Sequence, residues 1–204
     1  MKNIVSRVFI IGICSGILSC SNVSQTRAES PKQQSITTKS QSQDRVLEFP
    51  EKYSIGRLYV FDKVDLTNNV LETNDAKIRK NAQGRLTIPQ KGYAFLVGNY
   101  TLGENLQPLQ NLKANDLQAL KLNKLTFKEN DLKYLTGIIG LQRIELESTD
   151  VGDQSLKTLA KLPNLVYLTL ARSLVTGKTL ADLAPLKKLT YLQLGHNAIS
   201  DGNL

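Results

Sequence analysis

The chain has 204 residues and a formal net charge of +8, but only two cysteines and one histidine. So few thiol and imidazole groups exclude a disulfide framework and a zinc site built from Cys and His. Residues 113–204 hold twelve basic and nine acidic residues. This even spread argues against a nucleic-acid interface, where basic residues cluster on one face.

The N-terminal twenty residues, MKNIVSRVFIIGICSGILSC, place Lys2 and Arg7 before a short apolar run from Val8 to Leu18. The run has the length of a signal-peptide core and is too short to cross a bilayer. It ends in ILSC, which is similar to a bacterial lipobox. That resemblance implies that residues 1–19 are a lipoprotein signal peptide and that Cys20 is the lipid-attachment site. An ordinary secretory signal with an incidental cysteine is the alternative.

Residues 20–45 are rich in Ser, Gln and Thr and contain few large aliphatic side chains. Such a composition cannot build a core, so we expect a disordered tether. Ser21 stands where an aspartate commonly retains lipoproteins at the inner membrane. The lipobox resemblance therefore predicts a lipid-anchored protein of the bacterial cell envelope, at the outer membrane or the cell surface.

Residues 46–112 contain three short β-prone runs, GRLYVFD, GRLTIP and YAFLVGN, separated by turn signals such as TNN and PQKG. We interpret this stretch as a small β-rich module that leads into the following residues and caps them. An irregular cap without a fold of its own and an independent domain are the alternatives. About 65 residues would form only a marginal core, which favours the cap.

From residue 117 onward the chain repeats with a period of 24 residues, and such a period is typical of a solenoid. Three full repeats, 117–140, 141–164 and 165–188, are followed by a partial one, 189–204. Apolar residues recur in seven columns. Two of these columns are Leu120, Ile144, Leu168, Leu192 and Leu122, Leu146, Leu170, Leu194.

This register resembles the leucine-rich repeat family over residues 113–204. The resemblance implies an α/β solenoid in which LxxLxL forms a short strand and LxxLxxL forms a helix or 3₁₀ segment. Many family members have asparagine in the column of Leu125, Thr149, Ser173 and Asn197. Thr149 and Ser173 can still bond loop backbone, whereas Leu125 cannot.

Residues that alternate with the buried leucines are expected on the other, exposed face of the strands, which we call the concave face. Strands one coil apart lie about 5 Å from each other, so Tyr167 and Tyr191 should be adjacent, with Arg143 next to Tyr167. Tyr and Arg are enriched at binding hot spots. The candidate ligand-binding residues are Arg143, Glu145, Glu147, Tyr167, Thr169, Arg172, Tyr191 and Gln193.

No pattern indicates catalysis, a metal or a cofactor. His196 is the only histidine, and a triad with Ser173 and Asp201 would lack a nucleophile turn and an oxyanion motif. We therefore expect no enzyme, but a protein- or peptide-binding module, which is the common role of the family it resembles.

The alternative is a structural or assembly protein of the envelope. Leu204 occupies the column that opens LxxLxxL in the earlier repeats, so we expect a complete fourth strand without its helix. Leu192, Leu194 and Ile199 would then be open on one side. Either the chain is a shortened version of a longer repeat protein, or a partner or a second copy covers this end; fraying of residues 189–204 is the remaining alternative.

Overall fold

The computed structural model describes residues 44–65 and 71–200, and all of them belong to one compact unit. The predicted signal peptide, Cys20, nearly all of the tether and Leu204 lie outside the described residues. In the described part, nine strands and two helices are joined by 3₁₀ segments. The strands are β1 Arg45–Glu48, β2 Gly56–Phe61, β3 Ile78–Asn81, β4 Arg85–Ile88, β5 Tyr93–Gly98, β6 Ala119–Lys121, β7 Arg143–Glu145, β8 Tyr167–Thr169 and β9 Tyr191–Gln193; the helices are α1 Tyr100–Glu104 and α2 Asp153–Leu159.

Seven strands form one sheet in the order β3-β2-β5-β6-β7-β8-β9, and β1 pairs with β4 in a separate antiparallel ribbon. Strand β2 is antiparallel to both of its neighbours, β3 and β5, whereas every adjacent pair from β5 to β9 is parallel. The parallel pairs are offset by the sequence period, since Leu120 pairs with Ile144 and Leu168 with Leu192. The expected leucine-rich-repeat-type fold, with one strand per 24-residue coil, is confirmed.

One apolar core runs along the inner side of the sheet. Leu120, Ile144 and Leu168 are fully buried in it, as are Leu132 and Leu156, the first leucines of the LxxLxxL pattern in their 3₁₀ and helical segments. Residues of the N-terminal strands, such as Leu47, Leu58, Ile88 and Leu96, belong to the same cluster. The β-rich stretch therefore shares its core with the repeats.

The parallel ladder begins one coil earlier than the sequence analysis placed it, because β5 pairs with β6 at the same 24-residue offset. Gly98 stands in the column that holds Leu122 in the next coil. A Cβ at Gly98 would lie 2.8 Å from Leu122 Cδ2 and 3.0 Å from Leu102 Cδ2. The neighbouring leucines already fill that space, so the coil lacks the leucine that would have marked it.

A left-handed residue follows each repeat strand, at Lys124, Ser148, Arg172 and His196, with φ between 52° and 61°. The first three donate their backbone N–H to the next coil, to the carbonyls of Glu147, Ala171 and Gly195 at 2.9–3.0 Å. The turn thus continues the hydrogen-bond ladder beyond the strand. No glycine occurs at these positions, so Gly-containing turn motifs do not predict this turn.

The side chain of the residue directly after the left-handed position stabilises this turn in most coils. Asn197 Nδ2 donates to the carbonyls of Leu170 and Leu194, and its Oδ1 accepts from the Ser173 N–H at 2.7 Å. Thr149 and Ser173 donate their hydroxyls to the carbonyl three residues before them, as predicted. Leu125, which cannot do so, is partly buried against the core.

On the side opposite the sheet, acidic residues link successive coils. Glu129 Oε1 accepts from the N–H groups of Gly152 and Ser155 and from the Ser155 hydroxyl. One coil later, Asp153 accepts from the N–H groups of Thr176 and Gly177. Each carboxylate satisfies backbone donors at the start of the following segment, which would otherwise lack partners. Among the described residues, no helix is long and apolar enough to cross a membrane.

Candidate functional site

The pairing register places one row of side chains across all seven strands on the concave face. Each member of the row pairs directly with the next, and alternate residues of a strand point to the same face of a sheet. The row contains charged and aromatic residues where the core side contains aliphatic ones. In sheet order it is Arg79, Tyr59, Phe95, Ala119, Arg143, Tyr167 and Tyr191.

Three members of this row stack on one another at the repeat end of the sheet. The guanidinium carbon of Arg143 lies 3.6 Å from the centroid of the Tyr167 ring. The Tyr167 and Tyr191 rings lie 4.2 Å apart and 3° from parallel. The juxtaposition expected from the 24-residue period is confirmed. We call these three residues the Arg–Tyr stack.

An ion cluster connects Arg143 of this row to Lys121 and Glu145 of the neighbouring row. Glu145 Oε1 accepts from Arg143 Nε at 2.7 Å, and Glu145 Oε2 lies 3.0 Å from Lys121 Nζ. One carboxylate thus faces two cations in a buried setting, where charge-assisted hydrogen bonds are strong. Beside the cluster, the Thr169 hydroxyl and Gln193 Oε1 are 3.1 Å apart.

Two further candidates from the sequence form a separate pair at the rim. Arg172 Nη1 and Glu147 Oε1 are 2.7 Å apart, with the Arg172 side chain 56% exposed. All eight sequence-predicted residues therefore lie on or beside the last three strands, and the structure brings each of them into contact with another member of the set.

The expectation that this face is exposed is wrong for half of the set. Arg143, Glu145, Tyr167 and Thr169 are 4–6% exposed. The stacked and paired side chains cover one another, because each fills the space beside its neighbour one strand away. Tyr191 is half-buried, and Gln193 is exposed. Only part of the predicted surface is therefore free to meet a partner directly.

Towards the N-terminal strands the concave face carries a second apolar cluster. Phe61, Phe95 and Ala119 are buried in it. Val64 and Leu71, from the connection between β2 and β3, pack against that cluster, as do Tyr59 and Tyr93. Except for Ala119, the residues of this cluster lie outside the repeats. Sequence reasoning missed it because no period relates residues 59–76 to the repeat strands.

Burial changes the acidity of two tyrosines on this face. It raises the pKa of Tyr167 to about 12, with Arg143 opposing the shift and the Tyr191 hydrogen bond reinforcing it. Burial also raises the pKa of Tyr93, and Arg143 again opposes it. Both phenols are neutral at physiological pH, so they act as hydrogen-bonding groups without charge.

Beside the stack lies a hollow of about 300 Å³, lined by Tyr59, Leu71, Thr73, Phe95, Val97, Lys121, Arg143 and Glu145. Six of these eight residues were not among the sequence candidates. Lys121 could have been found, since it occupies the repeat column of Glu145. The others depend on how β2 and β5 join the sheet.

His196 is exposed, with a φ of 61°, beside the turn that Asn197 secures. Within residues 44–65 and 71–200, no group of three or more His, Cys, Asp or Glu side chains is placed to hold a metal ion. Catalysis was not expected, and that expectation stays a prediction.

No family model matches the sequence, and no curated protein matches it. Two solved structures with partial similarity are internalins of Listeria monocytogenes strain 4b F2365. Internalin C2 is 26% identical, with a TM-score of 0.39 over 45% of this chain and 37% of its own. A second internalin, inlF, is 26% identical, with a TM-score of 0.42 over 48% of this chain and 27% of its own. The similar segment thus spans well under half of either internalin.

Proposed function

We propose that this chain is a membrane-anchored, extracytoplasmic lipoprotein that binds a protein or peptide through its concave face, and that it is not an enzyme. The Arg–Tyr stack is the observation that carries the proposal. Binding energy concentrates in a few Tyr, Trp and Arg residues held in well-packed settings. A stack that is ordered before binding also lowers the entropy cost of association.

The geometry of the stack favours a protein over a ligand that stacks on aromatic rings. Arg143 lies over the Tyr167 ring at 3.6 Å, and Tyr191 lies parallel to that ring at 4.2 Å. Neither face of Tyr167 is therefore open to a base or a sugar ring. The half-buried Tyr191 remains accessible beside the exposed Gln193, and this pair offers the polar and apolar mixture of a protein surface.

Within this proposal the buried and exposed residues have different roles. Arg143, Glu145, Tyr167 and Thr169 form the supporting layer. Tyr191, Gln193 and the Glu147–Arg172 pair form the contact surface, because they are the candidates that remain accessible.

The test is affinity selection from envelope and host extracts with the full-length chain. The comparison uses a variant carrying both Tyr191→Ala and Gln193→Ala, and a matched control carrying Lys157→Ala and Lys161→Ala on the opposite side. Both lysines are exposed. We expect a partner that binds the parent and the lysine control but is lost, by tenfold or more in affinity, from the concave-face variant. The reverse pattern would reject the concave face as the binding surface.

Anchoring is tested separately at Cys20. The motivation is the ILSC sequence at the end of the short apolar run. We expect Cys20→Ala to release the protein from the membrane fraction or to leave the signal peptide uncleaved. Unchanged fractionation and mass would remove the lipoprotein assignment while leaving the binding proposal intact.

Assembly through the last described coil is the second candidate function. Leu192 is 39% exposed, whereas Leu168, one coil earlier in the same column, is fully buried. An exposed leucine beside an open strand edge favours association with another chain. Light scattering of the parent and of Leu192→Glu tests this: a concentration-dependent mass that the substitution abolishes supports assembly, and a monomer in both cases contradicts it.

A further inference from the structure

The hollow beside the Arg–Tyr stack continues into a second one on the same face. The second hollow, of about 490 Å³, is lined by Ser54, Gly56, Arg57, Tyr59, Asn81, Val97, Gly98 and Asn99. It shares Tyr59 and Val97 with the first. The two form one trough that crosses β2, β5, β6 and β7, and we call it the N-terminal trough. Most of it lies outside the repeats.

Charge is unevenly distributed along this trough. Arg57 lies in one half, and Lys121, Arg143 and Glu145 lie in the other. Three cations thus face one carboxylate, and Glu145 is already engaged by Arg143 and Lys121. Arg57 is exposed, and the Lys121 side chain is 39% exposed. The trough therefore offers positive charge at both ends.

The floor between the two ends is apolar. Val97 pairs with both Arg57 and Lys121 across the sheet, so it lies midway between them. One row further along the strands, Tyr59 contacts the buried Phe95 in a tilted arrangement, with ring centroids 6.1 Å apart. The order of groups along the trough is cation, apolar surface, cation.

The spacing of these groups matches an extended chain. Arg57 and Lys121 lie two strands apart, about 10 Å at the usual spacing between strands. In an extended peptide, alternate side chains point the same way, so positions i, i+2 and i+4 on one side span about 13 Å. The long side chains of Arg and Lys take up the difference. A ligand with acidic groups at i and i+4 and an apolar group at i+2 fits all three parts of the trough.

We propose that the N-terminal trough binds an extended acidic peptide segment of the partner protein, with two carboxylates flanking an apolar side chain. This inference rests on the proposed function and extends the binding surface beyond the repeats onto β2 and β5. Arg57 and Lys121 bind the carboxylates, and the half-buried side chains of Tyr59 and Val97 receive the apolar group. Single-stranded nucleic acid fits less well, because its bases bind by stacking on accessible aromatic rings, and of the two rings that line the trough Phe95 is buried.

The experiment selects binders to the full-length chain from a displayed library of random nine-residue peptides. Selected peptides are synthesised with a fluorophore and titrated by anisotropy at low and high salt. We expect enrichment of sequences with Asp or Glu at i and i+4 and an apolar residue at i+2. Affinity should fall with salt, since exposed charges are screened.

Three variants and one control locate the site. Arg57→Ala and Lys121→Ala should each weaken the selected peptides about fivefold or more, and Arg57→Glu should weaken them further. Lys157→Ala, outside the trough, should leave them unchanged. Arg57 is exposed, so its substitution leaves the core intact, and circular dichroism of each variant checks this.

Each outcome decides the inference. A library that yields no binder, or only neutral or basic ones, overturns it. Peptides that lose binding with Tyr191→Ala but not with Arg57→Ala or Lys121→Ala overturn the trough while supporting the proposed function at the stack. Dependence on Arg57 and Lys121 but not on Tyr191 supports the trough and removes the stack from the contact surface. Competition by a twelve-residue oligothymidylate that requires the same cations would assign the trough to nucleic acid instead.

Discussion

The two faces of the seven-stranded sheet differ in how the residue type varies from strand to strand. The core face repeats every 24 residues, and Leu120, Ile144 and Leu168 are interchangeable in kind and equally buried. The concave face has no such repetition, since Ala119, Arg143 and Tyr167 occupy successive strands at one level. Both faces are largely closed to solvent around β7 and β8. The core face is closed by aliphatic packing and the concave face by stacking and ion pairing, and this difference can be measured.

The largest effect is expected on the core face. Leu168→Ala removes a fully buried side chain and leaves a cavity, so it should lower the free energy of unfolding by about 2–5 kcal/mol. Urea denaturation measures this. Leu192→Ala is the matched control, and at 39% exposure it should cost clearly less. Equal losses of unfolding free energy would mean that Leu168 and Leu192 are buried to the same extent in their coils.

On the concave face, removal of one ion partner should cost somewhat less. Arg143→Ala removes one of the two cationic partners of the buried Glu145 and leaves Lys121 opposite it. The expected cost is therefore that of one hydrogen bond to a charged group, about 1.5–3 kcal/mol. Replacing Arg143, Glu145 and Lys121 together by Met, Leu and Met should recover most of that loss, because no charge then remains buried. A triple variant as unstable as Arg143→Ala would show that the ion cluster itself stabilises this face, since Met at position 143 restores most of the packing of the Arg143 stem. In both cases, a loss of binding in Arg143→Ala is interpreted together with its free energy of unfolding.

A smaller effect is expected from the tyrosine pair. A double-mutant cycle with Tyr167→Leu and Tyr191→Leu should give a coupling free energy of about 0.5–1.5 kcal/mol, the range for stacked aromatic pairs. Chemical denaturation of the four proteins supplies the numbers. Additive substitutions, with a coupling near zero, would mean that the rings only fill space.

The smallest effect appears only at high pH. The pKa of Tyr167 is raised to about 12 from an ordinary value of 10.0, so the folded state keeps a proton that the unfolded state loses. The contribution is complete below pH 10 and is lost as the pH rises from about 10 to 12. Unfolding at pH 9, 10 and 11 should show a decline in stability that is shallower in Tyr167→Phe. Part of the decline should remain, because the pKa of Tyr93 is raised as well. Identical pH profiles for both proteins would contradict the buried environment of Tyr167.

The repeat sequence by itself determined the fold of residues 117–200 and the contacts within the Arg–Tyr stack. A period of 24 with apolar residues at fixed columns places equivalent positions side by side. The stacking of Tyr167 on Tyr191 and the position of Arg143 beside them follow from that periodicity. The hydrogen bonds of Thr149 and Ser173 to loop backbone follow from their column. These are properties of a repeating chain, in which each coil contacts its neighbours in the same way.

Tertiary structure alone decided the rest, because non-repeating contacts carry no period. Arg45, which the sequence assigns to the tether, begins β1 and donates to Gly92 and Gln118 at 2.6 and 2.9 Å. Gly98 conceals the first parallel coil, since leucines from elsewhere fill its space. The antiparallel pairing of β2 with β5 extends the concave face to Tyr59 and Arg57. The burial of Arg143 and Glu145 depends on which side chains meet across the strands, and the sequence pattern by itself does not contain that information.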